Sequence, residues 1–192
     1  EFWVEGAAAV AFVDYLVTND IASPSQGKAI YSPLCREDGT VIDDLIIYKL
    51  SATRLLVCVN ASNIEKDWNW FKSHVEKFSC QLTNRSDETS LLAVQGPAAE
   101  ETMQSLELLS EGEDFPYYSA HEKNYFNKKV VLARTGYTGE DGFEIFCDHE
   151  TCHLLWDQLM TLGVVPCGLA SRDVLRIEVG YPLYGHKIND SV

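Results

Sequence analysis

The sequence predicts an α+β protein made of two successive halves, each built on an antiparallel sheet. Apolar runs with the alternation typical of strands are interrupted by segments with helical spacing. An Asp-Gly pair at residues 38–39 stands between two apolar runs, which is a strong hairpin signal. The polar stretch from Asn84 to Thr89 precedes a second, similar order of elements. We therefore expect one domain over residues 1–88 and another over residues 89–192.

In the first half the predicted order is β-α-β-β-β-α-β, which is close to a ferredoxin-like arrangement with one extra strand. Strands are predicted at Phe2 to Glu5, Ala29 to Cys35, Val41 to Leu50, Leu55 to Asn60 and Cys80 to Asn84, and a helix at Ala7 to Val17. The sequence Ser62-Asn-Ile-Glu65 matches a capping box and predicts the start of a second helix.

The second half nearly repeats this pattern. Its strands are predicted at Leu91 to Gln95, Tyr117 to His121, Val130 to Arg134, Phe143 to Cys147 and Val164 to Cys167. Its helices are predicted to start at Gly96-Pro97, to cover about His149 to Leu162, and to run from Gly168 to Gly180. In the last helix the spacing of Ala170, Val174 and Ile177 predicts a face that points inward.

Composition limits the classes of function. The 192 residues are 46% hydrophobic, which is enough for a sizeable core, and their formal net charge is −14. Such a charge argues against binding to nucleic acid or to an anionic membrane, and favours a small ligand or a protein partner. No apolar run reaches the roughly 18 residues of a membrane span and no signal peptide opens the chain, so we expect an intracellular, soluble protein.

The cysteines and histidines predict neither a disulfide framework nor a metal site. The six cysteines have no C-x-x-C spacing and mostly lie in apolar runs, which favours reduced core residues. His149 and His153 are four residues apart, but the H-E-x-x-H pattern of a zinc site is missing.

Two adjacent carboxylates, Asp43 and Asp44, interrupt an apolar strand and are the leading candidates for chemistry. By alternation Asp44 shares a face with Tyr48, and this favours Asp44 over Asp43. An ionised carboxylate on an apolar face is costly unless it is paired, hydrogen-bonded or shifted in pKa. The functional interpretation is a general acid/base or an acceptor for a reacting nitrogen. The alternative is a pair of exposed acids at a strand end.

Glu144 is the second candidate, because Phe143, Ile145 and Cys147 are predicted to face the core and to leave it on the other face. There its carboxylate could accept two parallel N–H groups from a heterocycle, or it could lie on an exposed sheet. Arg172 and Arg176 share a helix face, for which surface ion pairing is the usual explanation.

A glycine-rich segment, Gly136-Tyr-Thr-Gly-Glu-Asp-Gly142, does not have the spacing of a phosphate-binding loop and lacks the lysine that such a loop carries. Its glycines predict a tight turn with unusual backbone torsions.

Several motifs together resemble the aminomethyltransferase of the glycine cleavage system, the T-protein. They follow in the same order over almost the whole chain: Lys28-Ala-Ile-Tyr-Ser32, Val41-Ile-Asp-Asp-Leu45, Val59-Asn-Ala-Ser-Asn-Ile-Glu-Lys-Asp67, Leu92-Ala-Val-Gln-Gly-Pro97, Ala133-Arg-Thr-Gly-Tyr-Thr-Gly-Glu-Asp-Gly-Phe-Glu144, Cys167-Gly-Leu-Ala-Ser-Arg-Asp-Val-Leu-Arg-Ile-Glu178 and Tyr181-Pro-Leu-Tyr-Gly185.

The resemblance implies the folate-binding T-protein fold, in an incomplete form. It implies tetrahydrofolate-dependent transfer of an aminomethyl group from the lipoyl arm of H-protein, with release of ammonia and formation of 5,10-methylenetetrahydrofolate. It assigns Asp44 to the catalytic aspartate and Glu144 to the pterin-binding glutamate. The other residues at folate-site positions are Tyr31, Tyr48, Asn60, Arg172 and Tyr184. Tetrahydrofolate is thus the expected co-substrate, H-protein the expected partner, and no metal is implied.

The resemblance also implies an internal piece that lacks an N-terminal segment and a C-terminal β-barrel, so we expect the chain by itself to be inactive. The expected compartment is the bacterial cytoplasm, or the mitochondrial matrix for a eukaryotic source. The alternatives are the folate domain of dimethylglycine or sarcosine dehydrogenases, a protein of iron–sulfur cluster maintenance, or a non-catalytic folate-binding module. The lysine-glycine-cysteine motif of the iron–sulfur maintenance proteins is missing here.

Overall fold

The computed structural model describes residues 1–191 and divides into two compact units. The first unit consists of Glu1–Asp87 and the segment from Pro182 onward, and the second of Glu88–Tyr181. Each has an antiparallel sheet with helices, so the predicted α+β class is confirmed. The sequence pattern places residues 89–192 in the second half; in the structure, residues 182–191 group with the first unit.

The first unit contains a five-stranded sheet and two helices. Its elements are β1 (Phe2–Glu5), α1 (Ala9–Leu16), β2 (Lys28–Cys35), β3 (Val41–Ser51), β4 (Arg54–Cys58), α2 (Ile64–Val75) and β5 (Gln81–Asn84). The strand order β2-β3-β4-β1-β5 places β1 between β4 and β5. Without β2, this order is that of a ferredoxin-like sheet, so β2 is the extra strand. It lies at the edge of the sheet and pairs with β3 in the predicted hairpin.

The core of the first unit is an aromatic cluster between the sheet and its helices. Phe2 on β1, Phe12 on α1 and Phe71 on α2 are fully buried, and Phe71 meets both other rings edge to face. Burial of such a ring contributes about 1.5–3 kcal/mol, and edge-to-face pairs add to this. This packing fixes both helices against the strands.

Helix α2 does not begin with the predicted capping box. A 3-10 turn over Ala61–Asn63 precedes it, and Asn63, at the N-cap position, makes no side-chain hydrogen bond to the helix. The Asn63 amide instead donates to the Asp43 carboxylate over 2.7 Å. The Asn63 side chain therefore binds the buried Asp43 carboxylate on the sheet and does not cap the helix.

The second unit has a four-stranded sheet and three helices among its described residues. Its elements are β6 (Ser90–Gln95), α3 (Ala99–Ser105), β7 (Ala120–Tyr125), β8 (Lys128–Ala133), β9 (Gly142–Cys147), α4 (His149–Thr161) and α5 (Leu169–Glu178). The order β6-β9-β8-β7 makes β7, β8 and β9 consecutive antiparallel neighbours. The predicted inward face of β9 is confirmed, since Phe143, Ile145 and Cys147 belong to the core of this unit.

Two of the strands predicted for this unit are wrong: one begins later than predicted, and the other does not form. The strand predicted at Tyr117 to His121 begins only at Ala120, because Tyr118 has a left-handed φ of 58° that breaks an extended run. No strand forms at Val164 to Cys167. The Val164 N–H bonds to the Leu159 carbonyl at the end of α4, and Pro166 has no N–H for a ladder.

The predicted inward face of α5 is also wrong. None of the α5 residues is buried, and Val174 and Ile177 are 55% and 57% exposed. The helical spacing correctly marks one apolar face, but spacing does not determine whether another element covers it.

Two further features relate to the sequence composition: the burial of the cysteines and the apolar character of the helices. Within residues 1–191 the six cysteines form no disulfide; Cys147 is buried, four are partly buried and Cys167 is exposed. Within residues 1–191, no helix combines the length and the apolar character needed to cross a bilayer.

Candidate functional site

Asp44 lies on β3, where side chains from two other segments hold both of its carboxylate oxygens. The Tyr31 hydroxyl, on the neighbouring strand β2, donates to Oδ2 over 2.9 Å. The Asn60 side-chain amide, which follows β4, donates to Oδ1 over 2.8 Å. Three residues singled out from the sequence are thereby brought together in the first unit.

The environment of Asp44 suits proton transfer better than that of an exposed acid. Burial raises the pKa of its carboxyl group above the usual value, and the Asp43 charge acts in the same direction. The hydrogen bonds from Tyr31 and Asn60 oppose this rise but do not cancel it. A raised carboxyl pKa lies closer to neutrality, where a general acid or base is most effective.

Asp43 lies on the buried side of β3 and is fully inaccessible to solvent. Its Oδ2 accepts from the Asn60 backbone N–H over 3.1 Å. Its Oδ1 accepts from the side-chain amides of Asn60 (2.8 Å) and Asn63 (2.7 Å). These three donors are the partners that a buried carboxylate requires. The alternative of an exposed acid pair is therefore wrong: Asp43 is buried and Asp44 is partly buried.

Asn60 joins the two aspartates, because its Nδ2 atom donates to both carboxylates. The same atom lies 3.1 Å from the Asp44 backbone carbonyl oxygen. A planar amide that bridges two acceptors has a fixed orientation, so Asp43 helps to determine where Asn60 binds Asp44.

Asp67 on α2 is a site residue that the sequence reasoning did not single out. Its side chain is fully buried, and neither of its oxygens has a hydrogen-bond partner among residues 1–191. It lies close enough to Asp43 for that carboxylate to raise its pKa. A signal existed, since Asp67 is three residues after Ile64 and four before Phe71, on the apolar face of the helix.

Tyr184 packs on the first unit near the start of β3. Its hydroxyl donates to the Val41 carbonyl over 3.2 Å and accepts from the Lys66 ammonium over 2.7 Å. Lys66 also forms an ion pair with Asp190 over 3.5 Å. These contacts are the physical reason why residues from Pro182 onward belong with the first unit.

Tyr48 lies on β3 but not beside Asp44. It is fully buried and pairs in register with Ala29 and Leu56. Four residues along a strand correspond to about 13 Å, so sharing a face with Asp44 does not bring the two side chains together. Tyr48 is thus a core residue of this sheet.

In the second unit, Glu144 lies on the central strand β9 between Ala93 and Ala133. The Thr135 hydroxyl donates to its Oε2 over 2.5 Å. The Tyr118 phenol is close enough for the Glu144 charge to act on it: burial first, then Tyr181 and Glu144, raise the Tyr118 pKa. Glu144 is therefore a partly buried carboxylate with an oriented oxygen, as a binding role requires.

The Gln95 side chain leaves no room for a Cβ atom at two of the three glycines in residues 136–142. Its amide donates to the carbonyls of Thr135 and Phe143 over 3.1 and 3.2 Å. A Cβ at Gly136 would lie 1.9 Å from Gln95 Oε1, and one at Gly142 2.3 Å from it. The predicted need for unusual torsions holds for Gly139 alone, whose φ is +80°.

Arg172 stacks on an aromatic pair, and no ion pair of this arginine is found among residues 1–191. Its guanidinium lies 4.3 Å from the centre of the Tyr137 ring, which stacks in turn on Tyr181 at 5.7 Å. Arg176, on the same helix, does pair with Asp173, over 2.8 Å.

An open cavity of about 540 Å³ lies in the second unit. Its lining residues are Tyr117, Arg134, Gly139, Glu140, Asp141 and Tyr181. Arg134 forms ion pairs with Asp141 over 2.6 Å and with Glu100 over 2.7 Å, so its charge is already matched there. The cavity shares Tyr181 with the aromatic pair below Arg172.

Across residues 1–191, no group of three or more His, Cys, Asp or Glu side chains is arranged to hold a metal ion.

Comparison with known proteins decides the family. The family model of the GCVT N-terminal domain matches residues 1–192. This chain belongs to that family. The predicted membership of the glycine cleavage T-protein family is thus confirmed.

Curated relatives and a solved structure agree with this assignment. The aminomethyltransferases of Thermotoga maritima and Thermosipho melanesiensis are 47% and 42% identical to this chain over 196 and 193 residues. Each alignment includes 100% of this chain and 53% of the relative, so the chain spans about half the length of the curated relatives it matches. The glycine cleavage system aminomethyltransferase T from Bartonella henselae superposes with a TM-score of 0.90 at 33% identity, over 98% of this chain and 51% of that one.

A more distant structure shares the fold alone. A chain of the heterotetrameric sarcosine oxidase from Corynebacterium sp. U-96 superposes with a TM-score of 0.54 at 16% identity, over 87% of this chain and 82% of that one. The fold of the GCVT family therefore also occurs in a protein that is named for a different reaction.

Proposed function

We propose that the protein containing this chain is an aminomethyltransferase of the glycine cleavage system, which transfers the one-carbon unit from the lipoyl arm of H-protein to tetrahydrofolate and releases ammonia. The observation that carries the proposal is the geometry at Asp44: a partly buried carboxylate with a raised pKa, held at one oxygen by Tyr31 and at the other by Asn60. The names of the relatives support the reaction class.

Asp44 acts as the acid/base and orienting group of this reaction. Two hydrogen bonds fix its carboxylate, so its oxygens present lone pairs in defined directions to a reacting folate nitrogen. Burial removes competing water and brings the carboxyl pKa closer to neutrality, which favours taking up and returning a proton.

The other residues bind the co-substrate. We assign Glu144 to the amino-pyrimidine edge of the pterin, because a carboxylate oriented by Thr135 accepts from paired N–H donors. The remaining assignments to folate binding are Tyr31, Tyr48, Asn60, Arg172 and Tyr184. Among these, Tyr48 is fully buried in the described residues, so its contribution is to the shape of the sheet that carries Asp44.

H-protein is the proposed protein partner. The compartment is the cytoplasm in a bacterium, as the bacterial relatives favour, or the mitochondrial matrix in a eukaryote. A folate-binding relative with a different reaction is less well supported, because the identity to aminomethyltransferases is 42–47% whereas that to the sarcosine oxidase chain is 16%.

The test is Asp44→Asn in the full-length protein, assayed by ammonia release from aminomethyl-loaded H-protein with and without tetrahydrofolate. The amide keeps the size of the side chain but does not transfer a proton, so we expect kcat to fall by about 10²–10⁴-fold. Tetrahydrofolate affinity, measured by calorimetry, should change little.

The matched control is Glu37→Gln, which removes an exposed carboxylate from the turn between β2 and β3. It should retain normal turnover. Normal turnover of Asp44→Asn would refute the catalytic assignment, and a loss of folate binding without a loss of kcat would reassign Asp44 to binding alone.

A further inference from the structure

Asp67 and Asp43 form a pair of carboxyl groups that the reaction itself does not use. Both side chains are fully buried. Asp43 accepts from three amide N–H groups, whereas neither Asp67 oxygen receives a hydrogen bond from any donor in residues 1–191. Asp43 is close enough for its charge to act on Asp67, and two ionised carboxylates at such close range inside a protein would repel each other strongly.

A single proton removes this conflict. If Asp67 is protonated, its O–H becomes a donor, and Asp43 is the neighbouring group that can accept from it. Burial first, and then the hydrogen bond and charge of Asp43, raise the pKa of Asp67 to about 9. The pair then carries one negative charge, and that charge lies on Asp43, where the amide donors are.

The pair is connected to Asp44 through one side chain. Asn60 donates to Asp43 over 2.8 Å by its side chain and over 3.1 Å by its backbone, and it donates to Asp44 over 2.8 Å. The orientation of the Asp43 carboxylate therefore decides the orientation of the Asn60 amide, and the amide holds one oxygen of Asp44.

We propose that Asp67 is a positioning residue: protonated, it donates a hydrogen bond to Asp43, keeps a single charge on the Asp43–Asp67 pair, and so holds Asn60 in the orientation that binds Asp44. The proposal deepens the proposed function and rests on the role of Asp44 in it.

The charged groups around the Asp43–Asp67 pair determine the pH range in which Asp67 stays protonated. Lys66 on the same helix lowers the Asp67 pKa, while Asp43 on β3 and Asp190 in the segment from Pro182 onward raise it. Asp44, the next residue on β3, is a further acidic group near Asp43. The Tyr31 hydroxyl on β2 is hydrogen-bonded to Asp44. In alkaline solution Asp67 ionises, a second negative charge appears beside Asp43, and the hydrogen bond between the two carboxyl groups is lost.

The first test is carboxyl ¹³C NMR of aspartate-labelled protein, which does not depend on turnover. The Asp67 signal should titrate near pH 9 instead of near 3.8, and the Asp44 signal should show a second inflection at the same alkaline pH. In Asp67→Asn this second inflection should disappear while the acidic titration of Asp44 remains. An Asp67 signal that titrates in the ordinary acidic range, or an Asp44 signal without an alkaline inflection, overturns the proposal.

The second test compares two substitutions of Asp67 in the full-length protein. Asparagine keeps a donor for Asp43 and cannot ionise, so Asp67→Asn should keep kcat within about twofold and maintain it to higher pH. Leucine has a similar size but no donor, so Asp67→Leu should lower kcat about tenfold with KM little changed, less than the 10²–10⁴-fold expected for loss of a proton-transfer group.

Glu65→Gln, on the exposed side of the same helix, is the matched control and should leave kcat and its pH profile unchanged. An equal loss of kcat in Asp67→Asn and Asp67→Leu would show that the donor is irrelevant and would overturn the proposal. If Asp44→Asn is fully active while the NMR coupling is present, the proposed function fails and the hydrogen-bonded link from Asp67 to Asp44 stands.

Discussion

At the scale of single residues, hydrogen-bond partners distinguish three aspartates of the first unit, Asp43, Asp44 and Asp67. All three lie in or against the same sheet. Asp43 accepts from amides and Asp44 from a phenol and an amide, whereas Asp67 has no hydrogen-bond partner among residues 1–191. Burial raises the pKa of Asp44 and raises that of Asp67 much further, to about 9. Residue type alone would have made them equivalent.

The protonation of Asp67 makes stability depend on pH in a direction opposite to that of an ordinary ion-paired acid. Its pKa is raised from 3.8 to about 9, so between these values the folded protein holds a proton that the unfolded chain releases. The unfolded state then binds fewer protons, and the contribution of this group to the free energy of unfolding falls as the pH rises.

We expect urea unfolding at about pH 5, 7 and 9 to show a stability that declines more steeply in the wild type than in Asp67→Asn, which has no proton to lose at this position. Glu65→Gln serves as the control and should decline in parallel with the wild type. Identical slopes for the wild type and Asp67→Asn would show that Asp67 ionises normally.

At the scale of elements, α2 and α4 begin in different ways although both start near a polar residue. The Asp148 side chain accepts from the Thr151 N–H over 2.7 Å and so caps α4. Helix α2 has no such side-chain bond at its N-cap, because Asn63 is bound to Asp43. A sequence motif shows which residues could cap a helix, and competing acceptors decide whether they do.

We therefore expect Asp148→Ala to lower the free energy of unfolding by about 1 kcal/mol, the usual cost of losing an N-cap. Ser62→Ala, at the predicted capping box, should change it by less than about 0.5 kcal/mol. Chemical denaturation of the two variants at neutral pH measures both values. A larger effect for Ser62→Ala than for Asp148→Ala would restore the capping box and contradict the observed start of α2.

At the scale of the whole molecule, charge is unbalanced. The formal net charge is −14 and the sequence pI is about 4.6. At neutral pH the excess of negative charge repels itself, and this repulsion opposes the compact state. Salt shortens the range of such repulsion, to about 8 Å at physiological ionic strength.

We expect the melting temperature at pH 7.5 to rise when NaCl is increased from about 20 mM to about 300 mM, because repulsion among acids outweighs the few surface ion pairs that salt weakens. Differential scanning fluorimetry measures the shift, and KCl at the same concentrations should reproduce it. A steady decrease with salt would mean that ion pairs, such as those of Arg134, dominate the electrostatic energy.

The sequence by itself determined most of the fold class and the candidate aspartate. Alternation along β3 and the Asp-Gly turn predicted the hairpin, and the motifs predicted the family, because these signals are local or are read in order along the chain. The sites of Glu144 and Arg172 were also named from the sequence, whereas the partners of these residues were not.

Tertiary structure alone decided what surrounds each side chain. Asn60 and Asp43 are 17 residues apart, and Lys66 and Tyr184 are 118 apart, so no local pattern predicts their contacts. Spacing predicted an apolar face on α5 but not its exposure, and a capping box at Ser62 but not the competition for Asn63. The physical reason is that burial and hydrogen bonding are properties of pairs of groups, and folding selects those pairs from distant parts of the chain.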